Sequence, residues 1–308
     1  MLKRCLFCFL ILASFSVRAQ QALLWEVLAP GEEKPSYLFG TIHLREERMF
    51  AWNDSFYVAL ESCEAIAGEI IIDKKAIKGM ASQFLLPNGT KLNNYTTAAE
   101  YDSIMLIAKE YLGIYKIIVP RILPVMTNTL IVEKLTKAER KEPVDMYLQD
   151  WGKENDKKIL GLETMESQIS LLFSDSIPKQ VDDLMETVRN IEEVKKGLND
   201  MIALYLAQDL DGLSILINDT TQMSADELDA LLNKRNIGMH DSMMVIMQRY
   251  PTFFAVGAAH LPGEVGLLYL LEKSGCRLRP VGLVFESDNG KKARKRSKAR
   301  LRAKSSSR

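Results

Sequence analysis

Pro35-Ser36-Tyr37-Leu38-Phe39-Gly40-Thr41-Ile42-His43-Leu44 and Pro251-Thr252-Phe253-Phe254-Ala255-Val256-Gly257-Ala258-Ala259-His260-Leu261 lie near opposite ends of the chain and follow one plan. A proline opens each, a run rich in aromatic and apolar residues follows, with β-branched Thr252 and Val256 in the second, and a glycine stands three residues before a histidine. The apolar run fits a buried strand, and a glycine at a strand end leaves room for a backbone or ligand to come close. The chain has only three histidines, so two of them in the same Gly-x-x-His frame is a poor match to random placement. The pair reads as two strand ends that meet at a split metal site. The plainer alternative is a pair of hydrogen-bonded histidines that finish strands.

Beyond the first frame, Phe56, Leu60 and Cys63 have helical spacing over Trp52–Cys63, with Asn53, Asp54 or Ser55 available as a cap. The run Ala65-Ile66-Ala67-Gly68-Glu69-Ile70-Ile71-Ile72 then reads as a buried strand. Strand, helix and strand make a βαβ unit. Its strands are expected to be parallel, with their C-terminal ends on one edge of the sheet, where ligands of open α/β sheets bind. His43 after the first strand and Glu69 within the second would then face one crevice. The expected fold is α/β, a mixed central sheet flanked by helices with the GxxH motifs at strand ends.

The middle of the chain is helical and acidic. Thr97-Ala98-Ala99-Glu100 and Ser224-Ala225-Asp226-Glu227 fit the capping box, and Asn88-Gly89 marks a turn. Pro178 to Ile217 reads as amphipathic helix through Leu184, Val188, Ile191, Val194 and Leu198, whose apolar residues are assigned to core packing. A last long helix, Asp226 to Tyr250, is stopped by Pro251. It carries Arg235, Met239 and Met243 on one stripe, with Asn236, His240 and Met247 near it. Pro262-Gly263-Glu264 makes a turn before a helix over Val265–Leu271, and Arg279–Phe285 is placed as a strand that closes the sheet.

Lys3 and Arg4 followed by the apolar Cys5–Val17 and the small-residue site Val17-Arg18-Ala19 read as a signal peptide over residues 1–20. The apolar run falls short of the roughly 20 residues that span a bilayer. An exported protein, periplasmic or secreted, is expected. Cys5 and Cys8 fall in that segment, so Cys63 and Cys276 remain, read as unlinked buried thiols rather than a disulfide.

The 40 bases and 40 acids balance, yet ten of the bases lie in residues 291–308 and three more in the first twenty. The body between keeps 27 bases against all 40 acids, so a basic tail follows an acidic globule. The organisation expected is a signal peptide, one α/β domain over 21–288, and a basic disordered tail over 289–308. The tail is read as a solvated segment, with peripheral contact to an anionic surface as its functional alternative. No nucleic-acid role is expected, because no aromatic residue interleaves with the bases.

Two imidazoles and one carboxylate match the ligand count of a catalytic zinc-type site, which keeps a position open for water or substrate. His43, Glu69 and His260 are the expected ligands. Glu69 interrupts an apolar strand, and a buried carboxylate needs a cation or hydrogen bonds; it serves alternatively as general base beside the metal, or simply as a solvated strand end. Arg235 is a candidate to neutralise an oxyanion and Asn236 a neutral donor, both with a solvent-facing alternative. His240 lacks the glycine frame and is given a surface or packing role, with a fourth-ligand role kept open.

Leu24-Trp25-Glu26-Val27, the two long frames, Gly161-Leu162-Glu163-Thr164 and Arg235-Asn236 resemble, in order, the TraB/GumN family, related to the Tiki metalloproteases. The resemblance implies a metal-dependent hydrolase fold of the type shared with erythromycin esterases and a haem-binding lipoprotein family. It places the family histidines on His43 and His260, its strand glutamate on Glu69 and its Arg-Asn pair on Arg235 and Asn236, and implies manganese or cobalt as cofactor, beside the zinc that the ligand count allows. Glu163 falls on a recurring element of unassigned role, with helix capping or support of another site residue as its plain reading. His240 and the basic tail depart from the family pattern.

The reading that results is an exported metal-dependent hydrolase, a Tiki-like peptidase using metal-activated water on a peptide or small ester. The alternative is a non-catalytic haem- or metal-binding protein on the same scaffold, with the Met-rich helix as an apolar wall. An assembly role for the acidic body and basic tail comes third.

Overall fold

A computed structural model describes residues 22–220 and 228–285 of the 308-residue chain. Residues 1–20, read as a signal peptide, the basic segment 289–308 and Ser224–Glu227, read as a capping box, lie outside the described residues. The fold is α/β. Six strands, β1 (Leu24–Leu28), β2 (Ser36–Thr41), β3 (Ala65–Gly68), β4 (Lys158–Gly161), β5 (Thr252–Gly257) and β6 (Arg277–Pro280), form one sheet in the order β4-β3-β5-β2-β1-β6. The four strands from β4 to β2 are parallel, while β1 runs antiparallel to both β2 and β6, so the sheet is mixed.

Strands β2 and β3 are parallel members of the expected unit, linked through α1 (Asp54–Ser62), but they are not neighbours. Strand β5 is inserted between them, which seats the second GxxH frame beside the first. Thr41 lies opposite Gly257, and Gly68 lies opposite Ala255 and Gly161. Matched ends of parallel strands therefore place His43, Glu69, Glu163 and His260 at one edge. Strands β3 and β5 are buried at successive residues, hence on both faces of the pleat, as expected for a parallel sheet covered on each side.

Strand β3 stops at Gly68, shorter than the apolar run to Ile72 suggested, and Glu69 follows its end rather than lying within it. The ladder with β4 carries on for two residues, with Leu162 N–H donating to Gly68 O at 3.0 Å and Glu163 N–H to Glu69 O at 2.7 Å. Beyond that, Gln149 captures the chain: its side chain accepts from Ile72 N–H at 2.9 Å and donates to Ile70 O at 2.8 Å. A side-chain amide thus replaces a neighbouring strand.

The remaining helices are α2 (Lys74–Gly79), α3 (Ala98–Leu112), α4 (Pro124–Lys134), α5 (Val144–Glu154), α6 (Met165–Leu172), α7 (Ile177–Arg189), α8 (Ile191–Ala207), α9 (Leu210–Thr220), α10 (Lys234–Met247) and α11 (Leu267–Lys273). The single helix read over Pro178–Ile217 is three, α7 to α9, because the backbone leaves helical geometry at Asn190 (φ −116°) and Gln208 (φ 59°). The Thr97–Glu100 capping box is present at α3, and Asn88 and Gly89 take positive φ in their turn. Helix α10 ends before Pro251 as expected, although a π-helical turn over Asp229–Asn233 precedes it. Residues Arg277–Pro280, rather than Arg279–Phe285, pair as β6 at the sheet edge.

The main core lies on the sheet. Phe39 of β2, Phe253 of β5 and Phe56 of α1 meet edge to face or tilted, and Trp52 stacks on Phe56 with ring centroids 4.1 Å apart. Each such fully buried side chain contributes roughly 1.5–3 kcal/mol. A second apolar cluster joins α3, α4 and α7 through Ile104, Ala108, Ile131, Val181 and Leu184. Cys63 and Cys276 are both buried free thiols, and burial pushes the Cys63 thiol up to about 12.

Gly40 is required by crowding. A Cβ there would lie 3.1 Å from Ala258 Cα and 3.2 Å from Leu23 Cδ2, between the residue that precedes β1 and the turn that carries His260. Its carbonyl also accepts from the buried Tyr205 hydroxyl at 3.0 Å. Gly40→Ala is expected to destabilise the protein by about 1–3 kcal/mol, read as a lower denaturant midpoint with an unchanged slope.

Candidate functional site

Glu69 is the hub of the edge. One carboxylate oxygen, Oε1, accepts from Gly257 N–H at 2.8 Å and lies 3.7 Å from His260 Nε2. The other, Oε2, accepts from Arg235 Nη2 at 2.6 Å and from Gln168 Nε2 at 2.9 Å. Gly257 makes the first contact possible, because a Cβ at that position would stand 3.2 Å from Oε1. The room the glycine provides at the strand end is filled by this carboxylate.

Arg235 enters from α10 and is held between two acids. Its Nε donates to both oxygens of Glu163 at 3.1 and 3.0 Å, and Nη2 to Glu163 at 2.7 Å, while the same Nη2 reaches Glu69. The guanidinium is committed to a fork-like pairing with Glu163 and to anchoring Glu69, so in this structure it is not a free cation awaiting an oxyanion. Glu163 thereby acquires a role, as the clamp on Arg235. Its neighbour Thr164 caps α6 by accepting from Ser167 N–H at 3.1 Å, and α6 delivers Gln168 to Glu69.

Asn236, the next residue, is buried and faces the other histidine. Its side-chain oxygen pairs with His260 Nδ1 at 2.7 Å, and its Nδ2 donates to Val265 O at 2.9 Å. That second bond assigns the amide orientation, so His260 Nδ1 is the donor and Nε2 carries the lone pair toward Glu69. Asn236 orients His260 here instead of offering its N–H to a substrate.

His43 leaves β2 in a different setting. Its side chain is 68% exposed, and Nδ1 lies 2.6 Å from Asp145 Oδ2 at the start of α5. Asp145 Oδ1 accepts from the buried Thr41 hydroxyl at 2.5 Å. His240 stands apart, its Nε2 2.9 Å from Ser274 and its Nδ1 3.0 Å from Asp241, which supports its packing role. Met239, Met243 and Met247 are buried in the main core and do not form the wall of an open cleft.

The charges at this edge are unequal. Burial alone would raise the Glu69 carboxyl, but His260, which is protonated in the acid range where this carboxyl titrates, together with Arg235 and the Gly257 N–H outweigh it and hold it at about 2. Burial pushes His260 down to about 4 against the pull of Glu69, so near neutral pH it is an uncharged imidazole. Arg235 is then the cation that keeps Glu69 ionised. Asp145 has the opposite effect on His43, raising it to about 9.

His260 and Glu69 are thus brought together, with Arg235 and Asn236 each supporting one of them. Among the described residues, no three His, Cys, Asp or Glu side chains are close enough together to hold a metal ion. The donor chemistry nevertheless fits a divalent ion: His260 Nδ1 is hydrogen-bonded to Asn236, and His43 Nδ1 lies 2.6 Å from the buried Asp145 Oδ2, which has no hydrogen bond from any other group among the described residues, so each imidazole has Nε2 left for a ligand, as metal-binding histidines do. Sequence reading did not identify Asp145, Gln168 or the job of Glu163. Asp145 and Gln168 carry no local signature, since each acts across the fold on a strand end distant in sequence.

The curated relatives carry consistent names. Metalloprotease TIKI2 of Danio rerio is 26% identical, covering 84% of this chain and 61% of that protein. Metalloprotease TIKI1 of the same organism is 25% identical over 82% of the chain and 62% of its own length, and metalloprotease TIKI1 of Homo sapiens 24% identical over 91% and 67%. The chain spans about three fifths of the length of the first two. No solved structure gives a significant match. A family model described as TraB/PrgY/gumN matches residues 23–280, a span that runs from β1 to β6 and takes in every site residue above, and the chain belongs to the TraB/PrgY/gumN family.

Proposed function

We propose that the protein is a metal-dependent hydrolase acting on a peptide bond, with a small ester as the alternative substrate. The observation that carries this reading is the buried, uncharged His260 whose Nε2 faces the ionised Glu69 carboxylate at 3.7 Å. A neutral imidazole beside a carboxylate kept ionised is the pairing that metal-assisted hydrolysis requires. The relatives, all named as metalloproteases, support it. His43 and His260 would hold the ion with Glu69, which alternatively stands beside it as the base. Manganese, cobalt and zinc are the candidates. When bound, such an ion supplies an acidified water and polarises the substrate carbonyl.

The chain's own residues have definite tasks in this scheme. Glu69, pinned at both oxygens, offers an acceptor of fixed direction for a proton taken from water. Arg235 holds that carboxylate ionised and is itself held by Glu163. Asn236 keeps the His260 lone pair on Nε2. His43 carries a proton near neutral pH and must release it to become a ligand, so ion binding should strengthen as pH rises toward 9.

Residues 1–20 are read as directing export, and a secreted or periplasmic peptide substrate follows from that reading. No helix among the described residues is long and apolar enough to cross a membrane. The basic tail is proposed to make at most peripheral contact with anionic surfaces.

Glu69→Gln keeps the shape and removes the charge. It is expected to slow metal-dependent cleavage of a mixed peptide library by about 10²–10⁴-fold, measured by mass spectrometry after loading with manganese, cobalt or zinc. Wild-type protein that cleaves neither peptides nor esters with any of these ions would sink the hydrolase reading.

The metal-free protein should also show a two-sided pH profile. His260 sits at about 4 when folded against an ordinary 6.5, so its contribution is lost as pH falls from about 6.5 to 4. Glu69, depressed from 4.5 to about 2, adds a further loss from 4.5 downward. His43 is raised from 6.5, so its contribution is complete below 6.5 and disappears as pH rises through about 9. Urea midpoints across this range should fall on both sides. His260→Gln should abolish the limb between 6.5 and 4 and leave the alkaline limb unchanged.

A further inference from the structure

The two GxxH frames differ at their second position, Thr41 in one and Ala258 in the other, and the structure gives that difference a use. The Thr41 hydroxyl donates to Asp145 Oδ1 at 2.5 Å, and the other oxygen of the same carboxylate lies 2.6 Å from His43 Nδ1. Asp145 is 8% exposed, whereas the His43 side chain it faces is 68% exposed. An exposed imidazole on a loop has its rotamer and tautomer decided by whatever grips it, and here the grip is a buried carboxylate fixed from behind by a buried hydroxyl. His260 is treated in parallel fashion by Asn236, which accepts from Nδ1 at 2.7 Å and is fixed from behind through its own bond to Val265 O. Ala258 needs no hydroxyl, because the Asn236 amide is anchored by that carbonyl.

We infer that Asp145, braced by Thr41, is the positioning residue of His43: it holds the Nδ1 proton and presents Nε2 to the ligand position, as Asn236 does for His260. The value of this role for function rests on His43 being a metal ligand, but the orientation itself does not. Outer partners of this kind typically alter metal affinity by about 10–100-fold when removed.

Asp145→Ala, Asp145→Asn and Thr41→Val separate the possibilities, with urea midpoints confirming that each variant is folded. In metal-free, ¹⁵N-labelled protein the His43 Nδ1 proton should be protected from exchange in wild type and lost to solvent in Asp145→Ala, while the His260 Nδ1 proton stays protected in both. Asp145→Asn retains an acceptor oxygen and should restore the protected His43 proton, because an amide already suffices at Asn236. Thr41→Val should weaken protection less than Asp145→Ala does. Titration with manganese alone should give an affinity about 10–100-fold lower in Asp145→Ala, recovered for the most part in Asp145→Asn. An unprotected His43 proton in wild type, or protection and manganese affinity unchanged in Asp145→Ala, would overturn the assignment. A wild type that binds no manganese but shows the predicted proton pattern would remove His43 as a ligand and leave Asp145 as its positioning residue.

Discussion

The register of the parallel strands is the constraint on which everything else in this protein depends. Thr41 opposite Gly257 ends β2 and β5 together, and Gly68 opposite Ala255 and Gly161 ends β3 and β4 two residues earlier, so Glu69 and the two GxxH turns leave the sheet at the same edge. A slip of one residue between β3 and β5 would turn every side chain of one strand to the other face, and would move Glu69 away from the Gly257 N–H that it accepts. Burial of β3 and β5 on both faces penalises such a slip heavily, so the same packing that stabilises the sheet also aligns the residues at its edge. The aromatic cluster of Phe39, Phe56, Phe253 and Trp52 locks β2 to β5 across that interface.

Given that alignment, the electrostatics follow from what each helix delivers. Helix α10 brings Arg235 and Asn236 as adjacent residues to two different tasks, one gripping a carboxylate and the other an imidazole. Burying Glu69 without Arg235 would leave a buried charge without the cation that hydrogen-bonds it, a defect that typically costs about 3–5 kcal/mol. Glu163 completes a chain of acid, base and acid, with Arg235 in the middle. The arrangement holds Glu69 ionised, His260 uncharged and His43 charged in one small region, which gives the three groups different chemical characters although two are the same residue type.

Much of this was legible in the residues. The Gly-x-x-His repetition located both histidines at strand ends and anticipated one shared edge, and the lone acid in the apolar run Ala65–Ile72 singled out Glu69. The length of β3 was misread because Ile70, Ile71 and Ile72 have strand character, while the amide of Gln149 takes their backbone instead. The run from Pro178 to Ile217 has continuous helical periodicity, and only the backbone at Asn190 and Gln208 divides it. Strand β4 is a short segment whose partner β3 lies far away in sequence, and β1 is a short segment that pairs with the nearby β2 and with the distant β6. Arg235 and Asn236 were selected as chemical groups, whereas their hydrogen bonds show them as supports for Glu69 and His260.

Composition, periodicity and the paired motif by themselves determined the α/β class and singled out His43, Glu69 and His260 as residues of the sheet edge. These are properties of local pattern: apolar runs of strand length, glycines that permit close approach, and side chains able to bind an ion. Tertiary structure alone decided that β5 enters between β2 and β3, that Arg235 answers to two carboxylates, and that Asp145 and Asn236 grip different histidines. Those outcomes depend on which segments distant in sequence come within hydrogen-bond reach, and that is settled by strand order and register, for which no local stretch of chain carries the information.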